Sequence, residues 1–406
     1  MTGFVITGLG VIAPTGLGVA DHWSATLAGK ANLAQVTRFD PSPYTSRLAG
    51  EVPGFDAAAH LHSRLLTQTD RMTQLALVAS DWALADAGLG DLPDDGYGVG
   101  VVTASSSGGF EFGQRELQNL WSRGPGHVSA YQSFAWFYAV NSGQISIRHG
   151  LRGPSGVLVS DQAGGLDAIA QACRRLRSGT SAVLTGGVEG SLCPWGWAAL
   201  SASGRMSRRS DPTRAYLPFD EDADGYVPGE GGAVLLLERQ DAARDRGAVV
   251  HGRVLGYASS FDPHPELGEG STLAVAIRAA LGRARLAADD VDVVFADGAG
   301  VPAEDRAEAA ALREVFGAGG VPVTVPKTMT GRLSSGAASL DVVNALLAIR
   351  DGVIPPTVHV TQPDPRFELD LVRNAPRPAT LRTALVVARG HHGFNAVLVV
   401  ASPDRT

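Results

Sequence analysis

The sequence predicts an α/β fold in which helices cover parallel β-sheets. Short apolar runs alternate with stretches of helical periodicity, and this rhythm occurs twice along the chain. Glycines are frequent, 50 of 406 residues, and they cluster at the turns between the apolar runs. No linker or low-complexity segment separates the two rounds. We therefore expect one fused body with two halves, residues 1–250 and 251–406.

The first half opens with a strand and then alternates helices with strands. Apolar runs typical of strands lie at 4–7, 99–103 and 182–185. Apolar residues recur at helical spacing over 70–87 and 163–176. Gly8 ends the first strand, and Gly88 is placed to end the first of these helices.

The second half repeats the same order of elements. Helical spacing recurs over 273–284, 307–316 and 340–349. Strand-like apolar runs lie at 291–295, 384–388 and 397–400. Strands that alternate with helices in this way predict parallel pairing, because each helix carries the chain back to the start of the next strand.

Composition and charge exclude several classes of function. The formal net charge is -7 and no basic block occurs, so nucleic acid is not expected as a partner. No apolar stretch approaches the ~20 residues that span a bilayer, so no membrane contact is expected. Cys173 and Cys193 are the only cysteines, too few for a disulfide framework or a metal cluster. We expect a cytoplasmic protein with no metal and no cofactor.

Four segments carry a resemblance to a known family. They are Val159–Ala168 after a Gly153–Pro154 turn, Tyr216–Ala233, Lys327–Gly331 and Gly390–Ala396. Together they resemble the motifs of the β-ketoacyl synthases, condensing enzymes of the thiolase-like fold, and the likeness runs from residue 3 to about 400. It implies a layered α-β-α-β-α sandwich made of two pseudo-repeated βαβ halves.

The three catalytic positions that the resemblance implies are all replaced. The family uses a cysteine and two histidines, and this chain has Gln162, Asp297 and Arg332 at those places. A glutamine amide cannot form the thioester that the cysteine forms. Asp297 and Arg332 have opposite charges and should lie close together, so we expect them to pair and fill the site. The resemblance therefore implies a chain that does not condense acyl groups.

This pattern is similar to one branch of the family. Together with Phe134–Tyr138 and Pro194–Trp197, the replaced residues resemble the chain-length factors of type II polyketide synthases, also called ketosynthase β subunits. Membership implies a heterodimer with a catalytic ketosynthase α subunit and an acyl carrier protein as the second partner. It also implies a tunnel at the shared interface in which the growing polyketide chain lies.

Two hypotheses remain open for Gln162, and one more for the whole chain. The amide could stabilise the enolate left by malonyl decarboxylation and so generate an acetyl primer. Alternatively it only caps the helix at 163–176 and fills the cavity, which we favour because relatives proposed to decarboxylate keep both histidines. A third hypothesis is a scaffold subunit that stabilises its partner without setting product length.

The resemblance assigns further residues to the tunnel and to the interface. Phe110, Gly113 and Leu117 stand at i, i+3 and i+7 after a strand, so they share one helix face. A glycine inside a helix costs ~1 kcal/mol against alanine, which calls for a reason at Gly113. If it leaves free volume, the product should be longer than an octaketide.

Other aromatic residues complete these two assignments. Trp195 and Gly196 are expected to shape the same tunnel. Tyr131, Phe134 and Trp136 belong to an apolar segment that is expected to cross to the partner subunit.

Overall fold

The computed structural model describes residues 3–89, 96–263 and 271–405. Its strands are β1 Phe4–Ala13, β2 Gly16–Leu17, β3 Ala34–Gln35, β4 Leu48–Ala49, β5 Val99–Ser105, β6 Ser155–Val159, β7 Ala182–Glu189, β8 Gly231–Arg239, β9 Gly252–Phe261, β10 Val293–Phe295, β11 Pro322–Thr324, β12 Val353–Ile354, β13 Asp370–Leu371, β14 Arg377–Pro378, β15 Thr383–Arg389 and β16 Phe394–Ala401. Its α-helices are α1 Val19–Leu27, α2 Ser63–Gln68, α3 Arg71–Asp86, α4 Phe110–Arg123, α5 Gln132–Ala135, α6 Val140–His149, α7 Gly164–Arg177, α8 Pro194–Ala202, α9 Gln240–Asp245, α10 Leu273–Ala284, α11 Pro302–Phe316 and α12 Ser335–Asp351.

Strands of both halves join in one continuous hydrogen-bonded path. Its order is β13-β11-β10-β15-β16-β9-β1-β8-β7-β5-β6. The outer strands pair in parallel, as β5 does with β6 and β7, and as β10 does with β11 and β15. The central strands pair antiparallel, so the expectation of purely parallel sheets is wrong there. Tight connections explain the difference, because β15 turns directly into β16 and only antiparallel strands can be joined that way.

The helices lie in three layers around the strands. Helix α3 packs on β1, β7 and β8, and α10 packs on β9 and β16. Helices α7 and α12 pack against each other between them, and α12 touches β7 and β8 as well as β15 and β16. The central hydrophobic core includes Leu166, Leu235, Leu340, Val386 and Leu398, all within 3% exposure. The layered arrangement expected from the sequence is confirmed.

The predicted helices and strands are present, but some begin or end elsewhere; the expectation that Gly8 ends the first strand is wrong, because β1 continues to Ala13. Helices α11 and α12 begin at Pro302 and Ser335, earlier than the apolar spacing indicated. Their first turns carry polar or very small residues, which give no apolar signal. The main-sheet strands β6, β8, β9, β11 and β13 were not predicted, although β8 contains the buried run Leu235 to Leu237. In the part of the chain that the structure describes, no helix is both long and apolar enough to cross a bilayer.

Candidate functional site

Asp297 and Arg332 form a fully buried ion pair. Asp297 follows β10, and Arg332 lies in the loop that leads from β11 into α12. Arg332 Nη1 lies 2.9 Å from Asp297 Oδ2, and Arg332 Nη2 lies 3.2 Å from Oδ1. Each side chain is 1% exposed. The pair predicted from the sequence is therefore present.

Neighbouring groups complete the hydrogen bonds of this pair. The Arg389 amide donates to Asp297 Oδ1 at 3.0 Å, and Arg332 Nη2 donates to the Arg389 carbonyl at 3.3 Å. Burial would raise the pKa of the Asp297 carboxyl, but the charges of Arg332 and Lys327 and these hydrogen bonds hold it below its ordinary value. Arg332 and the Arg389 amide thus hold both oxygens of the Asp297 carboxylate. Because its pKa is lowered and its charge is paired, this carboxylate is a weak base and does not suit the proton transfer that a condensing site needs.

A second layer of buried charge supports the loops around the pair. Glu308 accepts from the Asp297 and Gly298 amides at 2.8 and 2.9 Å. Burial and the charge of Asp297 raise the pKa of Glu308 to about 7. Lys327 forms a buried ion pair with Asp341 and also donates to the Ala296 carbonyl at 2.8 Å. These contacts fix the backbone on both sides of the replaced histidine positions.

Gln162 is bonded to the backbone at the start of α12. The side chain is 4% exposed. In the amide orientation that gives both the nitrogen and the oxygen a partner, the nitrogen donates to the Ser334 carbonyl and the oxygen accepts from the Ser334 amide, at 3.3 Å each. Ser334 has a φ of 47°, an uncommon backbone conformation for a residue with a side chain. Helix α7 begins at Gly164 and receives no side-chain cap. The expectation that Gln162 caps this helix is wrong, because its amide faces α12 instead.

A cavity adjoins the ion pair and is called the chamber below. Its volume is about 330 Å³. It is lined by residues from both ends of the predicted site, among them Ser106, Phe110, Asp161, Glu189, Gly196, Arg332 and Ser334. The chamber therefore connects the replaced catalytic positions with two of the residues assigned to the tunnel.

The remaining tunnel residues lie beside the chamber, on α4 and α8. Phe110 stacks on Trp195 with ring centroids 4.6 Å apart and planes 7° from parallel. A Cβ atom at Gly113 would lie 3.2 Å from Trp195 Cζ3 and 3.4 Å from Trp136 Cβ. The expectation that Gly113 leaves free volume is therefore wrong, because the Trp195 and Trp136 side chains occupy that space. At Gly196 a Cβ would lie 2.1 Å from the Ser191 carbonyl oxygen, so only glycine fits there.

The aromatic segment assigned to the partner interface lies against the same helix. Its Tyr131 and Phe134 rings meet edge to face at 5.8 Å. The Gly109 amide donates to the Trp136 carbonyl at 3.1 Å. Trp136 is 39% exposed. The residues that the sequence analysis assigned separately to the interface and to the tunnel thus form one contiguous region. Leu117, also assigned to the tunnel, is half-buried one turn beyond Gly113 on α4.

Sequence reasoning missed Glu189, a buried carboxylate at the end of β7. The chamber wall includes it, and Ser334 and Ser335 nearby were also not singled out. A signal was available, since ligands of α/β sheets bind at the carboxyl ends of parallel strands. The sequence Gly186-Gly187-Val188-Glu189 places an acidic residue at such an end.

Comparison with known proteins identifies the family. Residues 2–243 match the family described as "Beta-ketoacyl synthase, N-terminal domain", and residues 251–361 match "Beta-ketoacyl synthase, C-terminal domain". The chain therefore belongs to the β-ketoacyl synthase family, as the sequence motifs indicated.

Individual relatives and solved structures make the likeness more specific. The chain is 63% identical to the "Tetracenomycin polyketide synthase ketoacyl synthase beta subunit" of Streptomyces glaucescens, over 98% of this chain and 97% of that one. It is 57% identical to the "Actinorhodin polyketide putative beta-ketoacyl synthase 2" of Streptomyces coelicolor, over 98% of each. Among solved structures, the ishigamide ketosynthase/chain length factor has a TM-score of 0.90 at 28% identity and 99% coverage of each chain. Another is a type II polyketide synthase acyl carrier protein in complex with its ketosynthase bound to the hexaketide, with a TM-score of 0.89, 26% identity and coverage of 99% of this chain and 100% of that one.

Proposed function

We propose that this chain is the non-elongating β subunit of a type II polyketide synthase. It pairs with a catalytic ketosynthase α subunit and sets the length of the poly-β-ketone that grows in a tunnel between them. The acyl carrier protein is the third component, and a cytoplasmic location belongs to the same proposal. One observation carries it above the others: a complete condensing-enzyme fold holds a buried Asp297–Arg332 pair where the chemistry would occur.

An exposed apolar surface supports the pairing with a second subunit. We call it the partner face, and it comprises Phe134, Trp136, Phe137, Ile147 and Val159. Phe137 is 48%, Ile147 74% and Val159 59% exposed. Val159 ends β6, which is the last strand of the main sheet and has one unpaired edge. Exposed apolar side chains beside a free strand edge are typical of a surface that another chain covers.

The position of the chamber supports a role in product length. Phe110 belongs both to the chamber wall and to the ring stack with Trp195, and Trp195 is 40% exposed near Trp136. A chain that enters from the partner face would therefore meet these rings first. A product longer than an octaketide stays a prediction, although the argument from empty space at Gly113 no longer supports it.

The two alternatives are less well supported. Decarboxylation through Gln162 requires an amide directed at a thioester carbonyl, and the oxygen and one N–H of the Gln162 amide are bonded to Ser334. A pure scaffold does not account for a chamber lined by polar groups beside the rings of the partner face.

Replacing Gly113 by Phe tests the proposal. The added ring would displace Trp195 and Trp136 into the path of the growing chain, so we expect the product to shorten by at least one two-carbon unit. The measurement is mass spectrometry of the acyl chains made by the complete complex of both subunits and the carrier protein.

A matched control is available within the chain. Gly282 also lies inside a helix, α10, and nothing lies within 4 Å of a Cβ built on it. Gly282→Phe should leave product length unchanged. A lower yield at unchanged length in Gly113→Phe would instead support the scaffold alternative.

A further inference from the structure

Glu189 is a buried carboxylate with one oxygen left unbonded. The side chain is 2% exposed. Its Oε1 accepts from the Ser106 amide at 2.5 Å, the Ser106 hydroxyl at 3.0 Å and the Ser335 hydroxyl at 2.7 Å. Within the described residues Oε2 has no hydrogen-bond partner. Leaving a buried polar atom unsatisfied costs ~1–3 kcal/mol, and more when the group is charged, so a partner outside the chain is expected.

Hydroxyl groups stand next to this carboxylate in the chamber wall. The Ser106 hydroxyl bonded to Glu189 lies 3.4 Å from that of Ser107, which lies 2.7 Å from that of Ser191. Only one hydrogen is needed between Ser107 and Ser191, so the other hydroxyl can donate to a ligand. The wall thus combines Glu189, whose buried Oε2 can still accept a hydrogen bond, with a hydroxyl donor.

The charges around the chamber disfavour an anionic ligand. Arg332 is neutralised by Asp297, and the other arginine of the wall, Arg205, is paired with Glu304. Asp161 and Glu189 also belong to the wall, and within the described part of the chain neither forms an ion pair with an arginine or a lysine.

The one histidine of the wall does not reverse this balance. Burial and the nearby charge of Arg205 lower the pKa of His391, which favours its neutral form. A phosphate or carboxylate would meet net negative charge in the chamber, so the wall suits a neutral ligand rich in oxygen.

An enolised 1,3-dicarbonyl group matches this wall. Its enol hydroxyl is a donor and its carbonyl oxygen, two carbons away, is an acceptor. The remaining wall contains apolar side chains, including Phe110, Leu192 and Leu200, which suit a carbon chain.

We propose that the chamber binds an enolised β-dicarbonyl segment of the acyl chain, with Glu189 accepting from the enol hydroxyl and the Ser107–Ser191 pair donating to the carbonyl. The identity of the acyl chain rests on the proposed function, but the recognition of the dicarbonyl group does not require turnover. The Phe110–Trp195 ring stack borders the chamber, because Phe110 belongs to its wall and Trp195 is 40% exposed.

The substitution Glu189→Gln reverses the polarity at one atom. The amide oxygen must take the Oε1 place, because three donors point there, so the amide nitrogen takes the place of Oε2. A donor would then face the enol hydroxyl. The test is ligand-observed NMR on the complex of this chain with its ketosynthase partner at pH 8, with pentane-2,4-dione as the probe and pentan-2-one as the matched monoketone.

We expect pentane-2,4-dione to bind at least about tenfold more weakly to Glu189→Gln, which corresponds to ~1.4 kcal/mol. Pentan-2-one should change by less than about twofold, because it offers no enol donor. Ser191→Ala should weaken the dione about fivefold, as for the loss of one neutral hydrogen bond. If Glu189→Gln does not fold, as judged by its thermal midpoint, Ser191→Ala takes its place in the test. Weaker binding of the dione alone by Ser191→Ala would then support the proposal, and equal binding by wild type and Ser191→Ala would overturn it.

Equal dione binding by wild type and Glu189→Gln would overturn the proposal, and would mean that water satisfies Oε2. An equal loss for both ketones would also overturn it, because it would indicate general damage to the chamber. Either result is separable from failure of the proposed function, since product length in Gly113→Phe is measured independently of these probes.

Discussion

At Asp297 both oxygens receive hydrogen bonds, whereas in the adjoining chamber one oxygen of Glu189 receives none from the residues that the structure describes. Both carboxylates are buried and they belong to one site. At Asp297 the charge is neutralised by Arg332 and both oxygens are held by hydrogen bonds. At Glu189 the described residues supply hydrogen-bond donors to Oε1 but none to Oε2. The difference is what we expect of a subunit that has lost the chemical end of its site and, as proposed above, binds a ligand at the other end.

The largest expected effect comes from breaking the closed end. Arg332→Met leaves Asp297 buried without its cation, and we expect the free energy of unfolding to fall by ~3–5 kcal/mol. Urea unfolding of the purified chain measures this. The double variant Asp297→Asn, Arg332→Met removes the stranded charge and should recover most of the loss. A single variant that loses less than ~1 kcal/mol would mean that the pair is not energetically coupled.

The next effect is the pH dependence of the free energy of unfolding, to which Glu189 and Asp297 contribute with opposite signs. Burial raises the pKa of Glu189 from 4.5 to about 7. The folded chain therefore holds that proton more tightly, so this contribution is full below pH 4.5 and is lost as pH rises through 7. The lowered pKa of Asp297 has the reverse effect, and its contribution is lost as pH falls below the ordinary value of 3.8.

Comparison with Glu189→Gln isolates the first of these contributions. Between pH 5 and pH 8 the wild type should lose up to ~3 kcal/mol more unfolding free energy than the variant. Urea unfolding at both pH values measures the difference. Parallel curves for the two proteins would show that the carboxyl group does not titrate in this range.

The smallest effect concerns Gln162, which lies at the boundary between the two ends. Gln162→Ala removes both hydrogen bonds to Ser334, and we expect a loss of ~1–2 kcal/mol. Acetyl loading of the complex, followed by mass spectrometry, should not change. A drop in primer formation without a matching loss of folded protein would instead restore the decarboxylase hypothesis.

Local sequence patterns predicted the elements and the closed end of the site. The apolar runs of β5, β7 and β15 and the spacing in α3 and α7 depend on neighbouring residues, so one sequence suffices to find them. The pairing of Asp297 with Arg332 was predictable because the family motifs place both positions in one site and their charges attract.

What could not be predicted depends on contacts between distant segments. Trp195 fills the space beside Gly113 although about eighty residues separate them, and no local pattern encodes that approach. That Glu189 Oε2 lacks a donor becomes evident only from the folded structure, in which β7, α12 and the loop after β5 lie side by side. The antiparallel centre of the sheet likewise depends on which strands become neighbours, which periodicity does not specify.

The place of α12 between the two halves has a consequence for biosynthesis. This helix covers β7 and β8, which are translated more than a hundred residues earlier, and its Leu340 and Val343 belong to the same core as Leu235. While the chain emerges from the ribosome, α7 covers β5 and β7, but the part of this sheet face that α12 covers in the folded chain is not yet covered. That part stays open to chaperones, or to aggregation, until α12, which ends at Asp351, has been synthesised.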